Sequence, residues 1–198
     1  MTLSASTYLN GCNYSSEKLD LKAYQIWMSG EAKQSLMEEK TIGDYKFTLL
    51  YKPAAWIAIN EIKREEPITD PSEIIKKKIT ELGTMNYFGL KIESSKLGYD
   101  PFKNVTETER QMREQFFLYD LQKNINLING ADTVPCSLYN YEYNTFPSAH
   151  IVLSLAFDSE KIGPLDKTIL IADEVLGVGN IYITFDKEKI RKIPELNI

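Results

Sequence analysis

Apolar residues alternate with other residues in segment 45–50, and they recur every three or four residues in segment 75–82. A period of two is typical of a strand with one buried face, whereas a period near 3.6 is typical of an amphipathic helix. Gly43 and Asp44 come just before the first segment, and they predict a hairpin turn from a strand over 36–42. These patterns predict a chain that combines strands and helices.

Capping residues predict three helices in the middle of the chain. Pro53 suits a first helical position, so a helix is expected from there to about residue 63. Asp70 is a candidate N-cap for a second helix, which we expect to end at Gly83. Thr106-Glu107-Thr108-Glu109 has the form of a capping box and predicts a third helix to about Lys123.

Strands are predicted on both sides of this helical middle. Their apolar and aromatic residues, bounded by turn residues, place them at 21–28, 87–92, 138–143, 151–157, 168–173 and 180–185. This order predicts an α+β domain with a largely antiparallel sheet and about three helices in the central part of the chain. We expect 1–19 to be a signal remnant and flexible tether, and 20–198 to be a single α+β domain.

Composition narrows the classes of partner. The 198 residues are 43% hydrophobic and 26% charged, which is typical of a folded globular body. The net charge of −5 argues against nucleic acid, because its phosphates are met by clustered Lys and Arg. No run approaches the roughly 18 apolar residues that a transmembrane helix needs, so any membrane link is expected through a lipid or a partner.

Leu9-Asn10-Gly11-Cys12 resembles the lipobox of bacterial lipoproteins, in which the cysteine thiol carries a diacylglycerol. Segment 42–53, taken with this cysteine, is similar to uncharacterised small lipoproteins of the Gram-negative envelope. The resemblance implies lipid attachment at Cys12, the membrane as partner through that lipid, and a location in the bacterial cell envelope, on the periplasmic side or outer surface. It implies no activity and no catalytic residues.

The residues before Cys12 fit only the end of a signal peptide. Segment 1–8 has no Lys or Arg and no full apolar stretch, although a secretory signal needs both. We therefore expect a truncated signal whose start codon lies further upstream, followed by a polar tether over 13–18. The alternative is an unlipidated N-terminus as printed, which would leave the protein in the cytoplasm.

Three tyrosines form the main candidate for a ligand face. Tyr139, Tyr141 and Tyr143 alternate, so in a strand they project from one side. An exposed row of this kind would bind sugar or peptide, whereas packing on the core with the hydroxyls at the edge is the ordinary alternative. His150 is the only histidine, and an edge position explains it better than catalysis. Cys136 is expected to be a small buried residue rather than a nucleophile.

The remaining signals indicate no cofactor and no metal. Gly177-Val178-Gly179 lies between two predicted strands, so we interpret it as a hairpin turn rather than a phosphate loop. Scattered solvated charge is the expected role of the acidic residues near the last strands, namely Asp158, Glu160, Asp173, Glu174 and Asp186. The favoured hypothesis is a non-enzymatic, lipid-anchored envelope protein with a surface for a protein partner or ligand. The alternatives are an enzyme using those carboxylates or a metal, and a soluble binding module with the tyrosine face.

Overall fold

The computed structural model describes residues 17–30, 32–62, 71–94, 102, 105–142, 150–158 and 165–198. Its helices are α1 (Leu21–Ser29), α2 (Ala32–Ser35), α3 (Ala54–Ile62), α4 (Ser72–Leu82), α5 (Glu107–Gln115) and α6 (Lys187–Arg191). Its strands are β1 (Lys18–Leu19), β2 (Met37–Ile42), β3 (Tyr45–Lys52), β4 (Met85–Ser94), β5 (Ile125–Asn129), β6 (Asp132–Pro135), β7 (Leu138–Tyr141), β8 (His150–Asp158), β9 (Lys167–Ala172), β10 (Asn180–Phe185) and β11 (Glu195–Leu196).

These strands form three sheets within the described residues. The largest has five strands in the order β2-β3-β4-β8-β7, and the second has four in the order β10-β9-β5-β6. Every neighbouring pair in both sheets is antiparallel, whereas β1 and β11 form a parallel pair. The predicted α+β fold with a largely antiparallel sheet is therefore confirmed.

The two larger sheets pack face to face through their apolar sides. In the five-stranded sheet, Phe47 lies opposite Ile92, and both are buried. The alternation that predicted this strand thus fills the inner face. Phe185, at the end of β10 in the other sheet, places its ring 5.9 Å from the ring of Tyr51 and 6.5 Å from that of Phe88. Side chains from both sheets therefore share one hydrophobic core.

Segment 21–28 was predicted as a strand, and this prediction was wrong because the segment forms α1. The carboxylate of Asp20 accepts a hydrogen bond from the Ala23 backbone N–H at 2.8 Å, which caps the helix. Tyr24 and Met28 are buried four residues apart, on one helical face. The aromatic and apolar content suggested a strand, but the N-cap and the helical spacing decide the local structure.

The turn at Gly43 and the capping box at Thr106 were predicted correctly. Gly43 has a φ of 57° at the turn between β2 and β3, a conformation that glycine adopts without strain. The N-capping threonine, Thr106, and Glu109 form the expected capping box of α5. The chain then continues as a π-helical turn, Phe116–Asp120, and a 3-10 turn, Leu121–Asn124. In α4 the N-cap position is held by Pro71 without a side-chain hydrogen bond, whereas the predicted N-cap Asp70 lies outside the described residues.

Two pairings were not predicted. One is the β5–β6 hairpin, which turns at Gly130 with a φ of 65°. The other is the parallel pair of β1 and β11, in which Lys18 lies opposite Glu195. Residues 18–19 had been expected to belong to the flexible tether, and the structure places them in this strand pair.

Candidate functional site

Within the described residues, a candidate site is a cavity of about 460 Å³ between α3 and strands β3, β4 and β8 of the five-stranded sheet. We call it the first cavity, and its walls are Lys52, Trp56, Ile57, Asn60, Glu61, Tyr87, Phe88, Ser154 and Leu155. Cavities of roughly 300 to 1,000 Å³ with apolar walls and a few convergent polar groups are typical of small-molecule sites. Its size and lining meet that description.

The path of the chain from β3 into α3 builds this cavity. Lys52 ends β3 directly opposite Tyr87 of β4, so both side chains lie on the outer face. Pro53 ends the strand, and its carbonyl accepts a hydrogen bond from Ile57 as the helix begins. Trp56 then lies one helical turn before Asn60, whose side-chain amide donates to the Trp56 carbonyl at 3.0 Å. The helix thus lines one wall and the strands line the other.

Three side chains form a hydrogen-bonded line across the outer face, which we call the polar row. Lys52 Nζ donates to Ser154 Oγ at 3.2 Å, and Ser154 Oγ donates to Glu142 Oε1 at 2.7 Å. The lysine side chain reaches Ser154 by crossing Gly89, where a Cβ atom would lie only 2.9 Å from Lys52 Cε. The missing side chain at Gly89 therefore makes room for the polar row.

Among the described residues, Glu61 and Lys52, the two charged side chains that line the first cavity, each have a neighbour of opposite charge. Glu61 Oε2 lies 3.1 Å from Lys78 Nζ of α4, and Lys52 connects to Glu142 through the polar row. Burial, and then the negative charge of Glu61, raise the pKa of Tyr87. The Tyr87 phenol therefore keeps its proton at neutral pH and remains a hydrogen-bond donor.

A second cavity of about 310 Å³ shares part of its wall with the first. Trp56 and Asn60 line both cavities. The remaining walls of the second cavity come from α1 and α3, with Tyr24, Gln25, Met28, Ser29 and Ile59. Burial, and then the proximity of Tyr51, raise the pKa of Tyr24, so its hydroxyl is also a neutral donor.

The predicted tyrosine row lies away from both cavities. Tyr139 and Tyr141 are half-buried and pack against the core. Leu138, just before them, and Asn140, between them, are exposed. The Tyr139 hydroxyl donates to the backbone carbonyl of Phe117, and its pKa is raised mainly by burial. These two rings lie on the same side of the strand, as the alternation in the sequence predicted. Tyr143 lies outside the described residues, so its place in the row stays a prediction.

Cys136 and His150 occupy structural positions. Cys136 is buried, its Sγ donates to the Leu138 carbonyl at 3.1 Å, and burial raises the pKa of its thiol to about 11. A thiol with that pKa holds its proton at neutral pH and is a poor nucleophile. His150 begins β8 opposite Glu93 and is half-buried. Cys12, the proposed lipid attachment site, lies outside the described residues.

The acidic residues near the last strands have separate local roles. Asp173 accepts hydrogen bonds from three backbone N–H groups of the β9–β10 loop, at 2.8 to 3.0 Å. This loop contains Gly177 and Gly179, both with positive φ, so the predicted hairpin turn is confirmed. Asp186 caps α6, and Glu174 accepts from Asn124.

Glu160 belongs to the same predicted group but lies outside the described residues. In the part of the chain that the structure covers, no three His, Cys, Asp or Glu side chains are grouped as they would be to hold a metal ion. Over the same residues, none of the helices combines the length and the apolar character that crossing a membrane requires.

The sequence did not identify either cavity. Ser154 is a polar residue within the apolar strand β8, Lys52 ends β3, and Gly89 lies in the middle of β4. A glycine inside a strand often marks a close approach by another group, so Gly89 was the one local signal of this site. Comparison with known proteins adds no assignment, because no family model, no curated protein and no solved structure matches this chain.

Proposed function

We propose that this chain is a non-enzymatic binding protein that holds a small ligand in the first cavity. The observation that supports the proposal is the pairing of the aromatic walls, Trp56 and Tyr87, with a polar row already fixed by hydrogen bonds. Groups that are ordered before binding lose little entropy when the ligand arrives, so they contribute more to affinity.

The hydrogen bonds of Ser154 favour binding over covalent catalysis. A nucleophilic serine is normally activated by an adjacent base, such as a histidine or a neutral lysine. Here Lys52 donates to Ser154, while Ser154 donates to Glu142. In this arrangement the lysine acts as a donor, and the serine serves to join two opposite charges. We therefore assign the row an orienting role toward the ligand.

The same proposal gives Cys12 the role of membrane anchor. Its lipobox-like context and the resemblance to small envelope lipoproteins support a lipid on this residue. One acyl chain binds a membrane only marginally, whereas several chains on one cysteine hold firmly. The folded body would then act at the bacterial cell envelope, on the periplasmic side or outer surface, and present its binding surface to a ligand or protein partner.

The binding proposal is tested by thermal unfolding with four compound panels: uncharged saccharides, amino acids, nucleosides and aromatic carboxylic acids. A true ligand at ten times its Kd adds about 1.4 kcal/mol, which corresponds to a rise in Tm of about 3–6 °C for a chain of this size. We expect Lys52→Met to abolish that rise. The matched control is Lys123→Met, because the Lys123 side chain is 78% exposed and is not among the walls of either cavity.

Two results would contradict the binding proposal. One is the absence of any stabilising compound across the four panels with the wild-type protein. The other is a stabilising compound that acts equally on wild type and on the Lys52→Met variant, because its site would then lie elsewhere.

The anchor is tested by acyl labelling in bacterial cells, with the reading frame extended upstream of Met1. We expect labelled fatty acid on the wild-type protein and on Cys136→Ala, and none on Cys12→Ala. Cys136 is the matched control because it is the other cysteine of the chain. The anchor proposal would be refuted if the wild-type protein carried no label and if Cys12→Ala and Cys136→Ala were found in the membrane fraction to the same extent.

A further inference from the structure

We infer that the ligand is a short uncharged saccharide that spans both cavities. This inference rests on the proposed function, since it assumes that the first cavity is a binding site. It adds the chemical class of the ligand and the number of linked rings. The supporting observations are the charge balance, the combination of aromatic and polar walls, and the two residues that the cavities share.

Charge balance argues against an ionic ligand. Glu61 is paired with Lys78 at 3.1 Å, and Lys52 is connected to Glu142 through Ser154. An anion would compete with Glu142 for Lys52, and a cation would compete with Lys78 for Glu61. Displacing one partner costs free energy, although no more than about 1 kcal/mol for Glu61 and Lys78, whose side chains are 46% and 24% exposed. An uncharged ligand leaves both pairs intact.

The walls match a ring that has apolar faces and a polar rim. Trp56 and Tyr87 offer aromatic surface, whose negative face attracts the weakly positive C–H groups of a saturated ring. Lys52, Asn60 and Ser154 offer hydrogen-bonding groups in the same cavity. A sugar ring presents C–H groups on its faces and hydroxyls around its edge. Each hydroxyl both donates and accepts, so it can join the polar row without requiring a change of charge.

The shared wall predicts more than one ring. Trp56 and Asn60 line the first cavity, of about 460 Å³, and also the second cavity, of about 310 Å³. The second cavity repeats the combination of aromatic and polar groups, with Tyr24, Gln25 and Ser29. Two such spaces that meet at one tryptophan are suited to adjacent rings of one chain. We therefore expect affinity to rise from a monosaccharide to a disaccharide.

The experiment uses tryptophan fluorescence as a local reporter. The chain contains two tryptophans, so Trp27→Phe leaves Trp56 as the sole source of tryptophan emission. Phe keeps an aromatic ring at the position where Trp27 contacts Tyr24. This variant is titrated with glucose, maltose, cellobiose and N,N′-diacetylchitobiose. Phenylalanine, adenosine and sodium benzoate represent the competing ligand classes.

We expect at least one disaccharide to change Trp56 emission and to bind about tenfold more tightly than glucose, the effect of one or two additional hydrogen bonds. Gln25→Ala should weaken disaccharide binding by about threefold to tenfold, the effect of losing one such bond. It should leave glucose binding unchanged, because Gln25 lines only the second cavity. This difference between ligands separates a contact with the second ring from a general loss of stability.

The possible failures are distinguishable. If phenylalanine, adenosine or benzoate binds in a manner sensitive to Lys52→Met while no saccharide does, the saccharide inference is overturned and the proposed function stands. If glucose and the disaccharides bind equally, the spanning of two cavities is overturned. If no compound changes either Trp56 emission or Tm, both the inference and the proposed function fail.

Discussion

Replacing Gly89 with alanine should destabilise the protein, although alanine is the better residue for an ordinary strand. The added Cβ would lie 2.9 Å from Lys52 Cε and 3.2 Å from Lys52 Nζ. Real Cβ atoms do not approach other heavy atoms to 2.9 Å, so the lysine side chain must move. We expect this movement to draw the ammonium group away from Ser154 Oγ, which it contacts at 3.2 Å, so that the polar row loses its first hydrogen bond.

Two opposing contributions set the size of this effect. A hydrogen bond to a charged group contributes about 1.5–3 kcal/mol to stability. Replacing glycine with alanine inside a strand stabilises the protein by about 0.5–1 kcal/mol, because alanine has less conformational freedom to lose on folding than glycine has. The net expectation for Gly89→Ala is therefore a loss of about 0.5–2.5 kcal/mol. If Lys52 is first truncated to alanine, no side chain remains to be displaced, and the same substitution should stabilise by about 0.5–1 kcal/mol.

Urea unfolding of the wild type, the two single variants and the double variant measures both values in one thermodynamic cycle. Coincident transitions by fluorescence and circular dichroism serve as the check on two-state behaviour. The expected signature is a change of sign for Gly89→Ala between the two backgrounds. A substitution that stabilises the wild-type background, or that destabilises both backgrounds equally, would refute the proposed path of Lys52 across Gly89.

Three further substitutions test other parts of the structure. Asp20→Ala should lower the free energy of unfolding by about 1 kcal/mol through loss of the helix cap, while Asp20→Asn should retain most of it; equal losses in urea unfolding would argue against capping. Tyr139→Phe should cost about 1 kcal/mol because the Phe117 carbonyl loses its donor. Tyr119→Phe should cost nothing measurable, since Tyr119 is 71% exposed. For Cys136, burial raises the thiol pKa from 9.0 to about 11, so the folded state holds this proton more tightly than the unfolded state. That stabilisation is complete below pH 9 and is lost as the pH rises through 11, amounting to about 2–3 kcal/mol by linkage. Unfolding of wild type and Cys136→Ala should therefore converge or cross above pH 9, and parallel pH profiles would contradict the assigned burial.

Signals that depend on neighbouring residues predicted much of the fold. The turn at Gly43, the alternation in β3 and the capping box at Thr106 each rest on residues within a few positions of one another. Such short-range patterns determine backbone geometry directly, so one sequence suffices to identify them. The hairpin turn at Gly177 was predicted for the same reason, because its signal also comes from neighbouring residues.

One of the errors occurred where local signals conflicted. Segment 21–28 contains strand-forming aromatic and β-branched residues, but Asp20 caps it and Tyr24 and Met28 share a helical face. Strand propensity depends strongly on context, and here a cap together with tertiary burial overrides it. The β5–β6 hairpin was also missed, although Asn129 and Gly130 are a common turn pair.

The cavities could not be predicted because they depend on strand register. Lys52, Gly89 and Ser154 are separated by dozens of residues, and they meet because Leu50 lies opposite Gly89 and Gly89 lies opposite Ser154. A shift of one residue in either pairing would turn these side chains to the opposite face of the sheet. Register of this kind follows from the packed core and cannot be read from one sequence.

The parallel pair of β1 and β11 gives the protein a defined response to mechanical tension. The Glu195 N–H donates to the Glu17 carbonyl and the Asn197 N–H donates to the Leu19 carbonyl, both at 2.8 Å. In a parallel pair, the chain entering β1 and the chain leaving β11 point away from each other. A pull on those two ends therefore shears both hydrogen bonds at once, whereas an antiparallel hairpin would open one bond at a time. Force applied along the chain thus meets its first resistance at this strand pair, before it reaches the five-stranded sheet and the helices that line the cavities.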